Sequence, residues 1–326
     1  MDGTFRLAGR RVWVAGHRGM VGSALCRALA ARGDVALLTV DRATLDLRRQ
    51  AEVEDWMAEA RPEAVVLAAA KVGGIMANAT YPADFLYDNL AIEANVIAAA
   101  HRIGVAKLLF LGSTCIYPRM AEQPIREESL LTGPLEPTNE WYAIAKIAGL
   151  KLAEAYRVQH GADFISAMPT NLYGPNDNFD PSGSHVLPAL IRRFHEARLE
   201  GRDEVVVWGT GTPRRELLHV DDMAEAALVL MERYSDRLHV NIGTGTDVTI
   251  RELAETVARA VGWSGRLVFD TSKPDGTPRK VTDGSRLRAL GWTPRIGLED
   301  GVRQTYAWFL EHAASARGVA VAAPAA

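Results

Sequence analysis

A tyrosine and a lysine stand four residues apart in the chain, as Tyr142 and Lys146. On a helix, side chains at this spacing share a face, so an ammonium would lie beside a phenol and could lower its pKa. A phenol tuned in this way can donate a proton to a carbonyl oxygen. Ser113 ends an apolar run some thirty residues earlier and would hydrogen-bond the same oxygen. The three side chains predict reduction of a ketone by a nicotinamide.

A glycine-rich segment near the N-terminus predicts where the nicotinamide cofactor binds. The strand-like run 12–15 leads into Gly16, Gly19 and Gly22 and then into a helical pattern. Gly16 permits a tight strand-to-helix turn, Gly19 lets the backbone approach a pyrophosphate, and Gly22 lets helix and strand pack closely. The helix N-terminus then faces the anion. We therefore predict a dinucleotide site.

Charged residues near this segment bear on which dinucleotide binds. Arg18 and Arg42 could grip an adenosine 2′-phosphate, because a guanidinium matches phosphate geometry. Asp41 favours the other cofactor, since a carboxylate there usually takes the ribose 2′-hydroxyl of NAD and repels a 2′-phosphate. We favour NADP and keep NAD as the alternative. Asp46 is expected either near the adenine or as the cap of the next helix.

Composition narrows the class of protein. The chain has 326 residues and a formal net charge of −3, so it can form one large or two smaller domains and has no basic surplus for nucleic acid. Cys26 and Cys115 are its only cysteines and make no disulfide framework. Residues 1–11 lack the apolar core of a signal peptide, and no apolar run is long enough to span a membrane. We expect a cytoplasmic protein that binds neither nucleic acid nor membrane, with no metal site.

Short apolar runs alternate with longer helical patterns along the chain. Strands are predicted at 12–15, 35–40, 64–69, 107–112, 164–168, 205–208 and 238–242. Helices are predicted from Tyr142 to about His160, at about 186–199, after Asp221 or Asp222 as cap, and after Thr249 as cap. This order predicts an α/β fold, a doubly wound parallel sheet of the Rossmann type with a smaller C-terminal α/β substrate lobe.

The domain limits follow from the same pattern. The dinucleotide-binding domain is placed at 1–172, with some later segments returning to it, and the substrate lobe at 173–313. Residues 314–326 are rich in small residues without amphipathic period, which predicts a disordered tail. The stretch 176–185 has turn chemistry and is expected to enter a binding site.

Two further side chains could transfer protons. Cys115 lies two residues after Ser113 and could reach the same pocket, although a free cysteine is more often a small buried residue. His185 closes the polar stretch and opens a helix, where the helix dipole and a cofactor phosphate would act on its charge in opposite directions. A lone histidine is more often structural, so both readings stay open.

Several longer strings resemble a known family. Gly112-Ser113, Tyr142-x-x-x-Lys146 and the three glycines are similar to the pattern of the extended short-chain dehydrogenase/reductases that act on nucleotide sugars. Within that family, the strings at 15–23, 68–75, 115–118, 168–175 and 273–280 resemble the 3,5-epimerase/4-reductases of GDP-4-keto-6-deoxy-D-mannose. The resemblance extends over about residues 8 to 312.

The resemblance implies a two-stage reaction in one site. Cys115 and His185 would exchange protons at C3 and C5, which the C4 ketone makes acidic. A nicotinamide hydride would then reach C4, with Tyr142 as acid, Lys146 tuning it and holding the nicotinamide ribose, and Ser113 polarising the oxygen, to give GDP-L-fucose.

The resemblance also implies contacts and an assembly. Further cofactor contacts are expected from Met20, Val21, Leu111, Gly112, Lys146, Pro169, Asn171, Leu172 and His185. The GDP-sugar is expected at Asn171, Arg193, Trp208, Arg215, Asp275 and Lys280. Each has a plainer alternative, in which the arginines form a solvated face and the tryptophan is a core residue. A homodimer is expected through helices at about 81–101 and 141–159.

Three alternative functions differ in the residues that they require. A 4,6-dehydratase or 4-epimerase of the same superfamily would carry different residues at Thr114-Cys115. A nonenzymatic dinucleotide-binding protein would be expected to lose Tyr142 or Lys146. A relative that converts GDP-4-keto-3,6-dideoxymannose to GDP-colitose needs C5 epimerisation and the same reduction, and stays open.

Overall fold

The computed structural model describes residues 5–180, 183–273 and 275–313. The predicted tail at 314–326 lies outside these residues. Thirteen strands are present in the described part of the chain: β1 Arg11–Ala15, β2 Ala36–Leu38, β3 Ala64–Leu67, β4 Lys107–Leu111, β5 Phe164–Pro169, β6 Asn171–Tyr173, β7 Glu204–Trp208, β8 Arg214–Arg215, β9 Leu217–His219, β10 Val240–Ile242, β11 Val248–Thr249, β12 Arg266–Asp270 and β13 Arg279–Lys280.

Ten α-helices connect and cover the strands in the same described part: α1 Met20–Arg32, α2 Gln50–Ala60, α3 Ile75–Thr80, α4 Pro82–Arg102, α5 Glu140–His160, α6 Val186–Leu199, α7 Val220–Arg233, α8 Ile250–Val261, α9 Ser285–Ala289 and α10 Leu298–His312. No helix in the described ranges is long and apolar enough to cross a membrane.

Six of the strands form a parallel sheet in the order β10-β5-β4-β3-β1-β2. Alternate residues of β1 enter different cores: Val12 and Val14 pack with α1 and α7, whereas Trp13 and Ala15 pack with α2, α4 and α5. Burial on both faces explains why these strands are continuous apolar runs. The predicted doubly wound α/β fold is confirmed.

A third core lies in the C-terminal half. It is formed mainly by α6, α8 and α10 and the parallel pair β7 and β12. Two small sheets lie beside these elements: β6 pairs with β9, and β8 pairs with β11 and β13. β10 returns to the large sheet beside β5. The boundary at residue 172 stays a prediction.

Helix caps differ from expectation at two places. The N-cap of α7 is His219, whose ring nitrogen accepts the Asp221 N–H, so the prediction of Asp221 or Asp222 as cap was wrong. Both carboxylates lie instead in the first turn, where their negative charge interacts favourably with the positive end of the helix dipole. Asp46 does not cap α2, which begins at Gln50. Thr249 caps α8 in a full capping box, as predicted.

Candidate active site

The glycine loop joins β1 to α1 at the carboxyl edge of the sheet. Gly16 has φ +91°, and a Cβ there would lie 2.7 Å from the Ala69 backbone nitrogen. A Cβ at Gly22 would lie 2.1 Å from the Gly16 carbonyl oxygen, so α1 packs directly on the turn. Gly19 donates its N–H to the same oxygen at 2.9 Å. This cradle fits a dinucleotide phosphate at the helix N-terminus.

Asp41, whose carboxylate favours NAD by its position in the sequence, contacts two basic side chains. Its carboxylate lies 2.6 Å from Nη2 of Arg18 and 3.2 Å from Nε2 of His17. Arg42 is exposed beside it. Because Arg18 offsets the charge of Asp41, the carboxylate is less of an obstacle to a 2′-phosphate than the sequence suggests.

The other predicted cofactor positions line the same edge of the sheet. Met20 and Val21 open α1, Leu111 ends β4, and Pro169 ends β5. Gly112 follows β4, where a Cβ would lie 2.4 Å from the Met168 sulfur. Asn171 and Leu172 lie in β6, and the Asn171 amide donates to the Glu216 carbonyl oxygen at 2.9 Å. Ligands bind at this edge in open parallel sheets.

Ser113, Tyr142 and Lys146 meet at the end of β4. The Ser113 hydroxyl accepts the Cys115 N–H at 3.3 Å, and Ser113 lowers the pKa of the nearby Tyr142 phenol. One turn along α5, the Lys146 ammonium donates to the Leu111 carbonyl oxygen at 3.2 Å and lies 5.9 Å from the centre of the Tyr142 ring. The spacing of four residues therefore places both side chains at one site.

The electrostatics of Tyr142 differ from the sequence expectation. Its pKa is raised well above the usual value, first by burial and then by the neighbouring Cys115 and Glu93 side chains, whereas Ser113 lowers it. Lys146 does not reverse this, since its ammonium forms an ion pair with Glu93 at 2.9 Å. The phenol thus stays protonated at neutral pH, which is the form that donates a proton.

Cys115 lies beside these groups with two donors on its sulfur. The Asn139 amide nitrogen lies 3.2 Å and the Lys280 ammonium 3.8 Å from Sγ. His185 is the N-cap of α6 and keeps access to solvent. Desolvation by the surrounding protein, and then the Lys280 charge, lower the pKa of its imidazole. A neutral imidazole can accept a proton.

One predicted substrate residue, Lys280, lies close to Cys115, and a second, Arg215, is its neighbour on the adjacent strand. Arg215 and Lys280 are directly paired in the register of β8 and β13. The Arg215 guanidinium donates to the Thr277 carbonyl oxygen at 2.6 Å, and burial lowers its pKa. Lys280 was expected at a diphosphate, whereas the structure places its ammonium at the Cys115 sulfur.

The remaining predicted substrate residues lie near the end of β7. Trp208 is 56% exposed, so the alternative of a core residue was wrong. The guanidinium carbon of Arg193 lies 5.9 Å and the Lys273 ammonium 5.7 Å from its ring centre, which leaves a basic, aromatic surface. The Asp275 carboxylate accepts the Thr210 N–H at 2.9 Å and so also fixes the adjacent turn.

Four residues at this site were not predicted: His17, Glu93, Asn139 and Lys273. Asn139 had a local signal, because it stands immediately before α5 where an asparagine usually caps, yet its amide points to sulfur instead. His17 and Lys273 lie inside the strings 15–23 and 273–280, which carry the family resemblance.

Comparison with known proteins agrees with this geometry. Residues 12–243 match the model of the NAD dependent epimerase/dehydratase family. The chain belongs to that family. It is 62% identical over 302 residues to a protein of Arabidopsis thaliana named GDP-L-fucose synthase 1, covering 93% of this chain and 94% of the relative. It is 59% identical over 318 residues to GDP-L-fucose synthase of Escherichia coli K12, covering 95% and 99%.

A solved structure of the family agrees in shape. The GDP-L-fucose synthetase of Naegleria fowleri bound to NADP is 30% identical and superposes with a TM-score of 0.88, covering 97% of this chain and 99% of that one. The comparison therefore relates the glycine loop to a family member that holds NADP.

Proposed function

We propose that the protein is a GDP-L-fucose synthase, which epimerises GDP-4-keto-6-deoxy-D-mannose at C3 and C5 and then reduces C4. The observation that carries the proposal is the position of the Cys115 sulfur, contacted by Asn139 and Lys280 and next to the Ser113 and Tyr142 pair. A ketoreductase alone needs no thiol there. High identity to the named synthases over most of the chain supports the same activity.

The first stage uses Cys115 and His185. A C4 ketone acidifies the hydrogens on C3 and C5, so a base can remove a proton and leave an enolate. Inversion requires that a proton return on the opposite face of the ring, which two groups can do when one takes and the other gives. The Lys280 ammonium lies at the sulfur and also favours the neutral imidazole of His185, which suits that exchange.

The second stage uses Tyr142. NADPH supplies the hydride for C4 when bound, and we propose that Arg18 and Arg42 bind its 2′-phosphate. The Tyr142 phenol gives its proton to the O4 oxygen as negative charge develops there. Ser113 holds the same oxygen, and Lys146 binds the nicotinamide ribose. The other residues predicted to contact the cofactor lie at the carboxyl edge of the sheet, which is where a dinucleotide would bind.

The GDP-sugar is proposed to lie across the surface from Cys115 to Trp208. Arg215 and Arg193 would bind the diphosphate, and Trp208 would stack on guanine or sugar, with Asn171 and Asp275 as polar contacts. Lys280 would serve the reacting ring rather than the diphosphate, because its ammonium lies at the sulfur.

Solvent deuterium tests the proposal. With GDP-4-keto-6-deoxy-D-mannose and NADPH in D₂O, NMR of the product should show GDP-L-fucose labelled at C3 and C5. Cys115→Ser should label much less at one or both carbons, because a hydroxyl is a far weaker acid than a thiol, while C4 reduction continues slowly. Cys26→Ser, which changes the other free cysteine on α1, is the matched control and should label normally.

Two results would contradict the proposal. Labelling and epimerisation by Cys115→Ser at the parent rate would make Cys115 a passive residue and leave His185 as the next candidate base. Faster turnover of GDP-4-keto-3,6-dideoxymannose, with label at C5 alone, would assign the protein to GDP-colitose formation.

We also propose a cytoplasmic homodimer. Large apolar side chains are exposed along α4 and α5: Tyr87 is 68% exposed, Val158 68%, Trp141 44% and Ile144 37%. Two copies of this helix pair could bury them together. The two free cysteines fit a reducing compartment. Sedimentation of a monomer at working concentration would reject the dimer.

A further inference from the structure

A carboxylate that the reaction above does not use lies inside the active-site wall. Glu93 is on α4, and its side chain and that of Lys146 are each 2% exposed. The Lys146 ammonium lies 2.9 Å from one carboxylate oxygen. Apart from Lys146, no hydrogen-bond partner reaches either oxygen from the residues that the structure describes. Burial raises the pKa of Glu93, and the Lys146 ammonium opposes this by favouring the charged carboxylate. A buried carboxylate with a single counterion is costly, so its retention calls for a reason.

The packing around Glu93 is shaped to hold it. Gly149 lies in the middle of α5, where glycine costs about 1 kcal/mol relative to alanine. A Cβ at Gly149 would lie 2.5 Å from the second Glu93 oxygen and 2.6 Å from the Phe110 ring. A side chain at this position of α5 would therefore displace the carboxylate from Lys146. Glycine here makes room for Glu93 between the two helices.

Three ionisable groups lie around Tyr142. Lys146 lies one turn along the same helix, Glu93 faces it from α4, and Cys115 faces it from the segment after β4. An unopposed ammonium at Lys146 would favour a phenolate, which is a base and suits oxidation of an alcohol. Reduction needs the phenol.

We propose that Glu93 is a positioning residue for the reduction: its carboxylate holds the Lys146 ammonium against the end of β4 and offsets its charge, so that Tyr142 remains a proton donor. The inference rests on the proposed function, in which Tyr142 gives the proton to O4. It assigns the protonation state that reduction needs, a phenol rather than a phenolate, to a buried carboxylate on α4. The pKa of Tyr142 agrees, since Glu93 is among the groups that raise it.

The test follows the ionisation of Tyr142 directly, without substrate or cofactor. Tyrosines carrying ¹³C at the ring carbon that bears the hydroxyl are titrated by NMR, and the Tyr142 signal is identified by its absence in Tyr142→Phe. We expect Glu93→Gln to lower the pH at which Tyr142 ionises by about one unit or more, the size of effect that a nearby charge produces. Glu93→Asp, which keeps the charge, should restore most of the parent titration.

A matched control comes from a second buried pair. Lys107, at the other end of β4, is fully buried and pairs with Asp163 at 2.8 Å. Asp163→Asn removes the carboxylate from this pair and should leave the Tyr142 titration unchanged. In turnover, the alkaline limit of reduction should move down in Glu93→Gln while KM for NADPH changes little.

Two outcomes would overturn the inference. A folded Glu93→Gln protein in which Tyr142 ionises at the parent pH would show that the carboxylate does not act on the phenol. If Glu93→Gln does not fold, the double variant Glu93→Gln/Lys146→Met removes both charges and carries the test. In this double variant Tyr142 should ionise near the pH found for the parent. Ionisation at a clearly lower pH would contradict the proposal that Glu93 offsets the charge of Lys146. Neither titration depends on the sugar substrate, so failure of the proposed function is detected separately.

Discussion

Replacing Gly22 by alanine tests the cofactor loop through a clash that the structure measures. The new Cβ would lie 2.1 Å from the Gly16 carbonyl oxygen, 2.6 Å from its carbonyl carbon and 2.8 Å from the Cα of His17. All three are backbone atoms, so no side chain can rotate away, and α1 must move from the turn by about 1 Å to reach van der Waals distance. Overpacking of this kind costs roughly 1–3 kcal/mol.

Gly19→Ala separates packing from cofactor approach. A Cβ at Gly19 would meet only the Gly16 oxygen at 3.3 Å, and its φ of −74° suits any residue. We expect Gly22→Ala to melt about 1–5 °C below the parent in circular dichroism, by the usual relation between stability and melting temperature. Gly19→Ala should melt near the parent. Both should bind NADPH about tenfold more weakly or worse in calorimetry, the first through a displaced helix and the second through a methyl group against the pyrophosphate.

The two variants can fail independently. Parent-like melting of Gly22→Ala would mean that α1 does not pack on the turn as described. Parent-like NADPH affinity in Gly19→Ala would mean that the pyrophosphate does not approach this part of the loop, and the dinucleotide site would need another position.

Three further changes test the proton donor, the cofactor preference and the acid stability. Tyr142→Phe should abolish single-turnover NADPH oxidation with substrate while calorimetric NADPH binding persists, and undiminished reduction would remove Tyr142 from the mechanism. Arg42→Ala should weaken NADPH more than NADH by about 1.5–3 kcal/mol, whereas equal losses would show that Arg42 does not read the 2′-phosphate. Burial lowers the pKa of His239 from 6.5 to about 4. As the pH falls, the unfolded chain therefore binds a proton at this histidine before the folded protein does. The free energy of unfolding is highest above pH 6.5 and should fall by up to about 3 kcal/mol towards pH 4. Urea unfolding should show this slope reduced in His239→Gln, and an unchanged slope would assign it to other groups.

The large sheet was predictable because its strands are buried on both faces and read as continuous apolar runs. Strand limits shifted by one or two residues: the run 35–40 forms a strand only at Ala36–Leu38, and 238–242 only at Val240–Ile242. The ends of such runs lie beyond the last ladder partner, and apolar content alone does not reveal where pairing stops. The two-residue strands β8 and β13 are too short to have any periodicity.

The position of Lys280 could not be read from the sequence for the same reason. It lies 165 positions from Cys115, on a strand whose register against Arg215 is fixed only by tertiary pairing. Glu93 left a clearer signal. Phe85, Asn89 and Glu93 recur at intervals of four on α4 and are all buried, so two polar residues continue an otherwise apolar stripe. A charged residue on the core-facing stripe of one helix, together with a glycine in the neighbouring helix, is the sequence pattern that would have predicted the role of Glu93.

The two stages of the proposed reaction need opposite properties from neighbouring groups, a base for the ring carbons and an acid for O4. The site has two lysines with different partners. The Lys146 ammonium lies against the Glu93 carboxylate, and the Lys280 ammonium lies against the Cys115 sulfur and acts on His185. The Glu93 carboxylate offsets the charge of Lys146, so the Tyr142 phenol keeps its proton. Lys280 instead acts on Cys115 and His185, the two groups that exchange protons with the sugar. The division of labour therefore depends on which side chain each lysine contacts, and removal of the Glu93 carboxylate would disturb the reduction while leaving every reacting group in place.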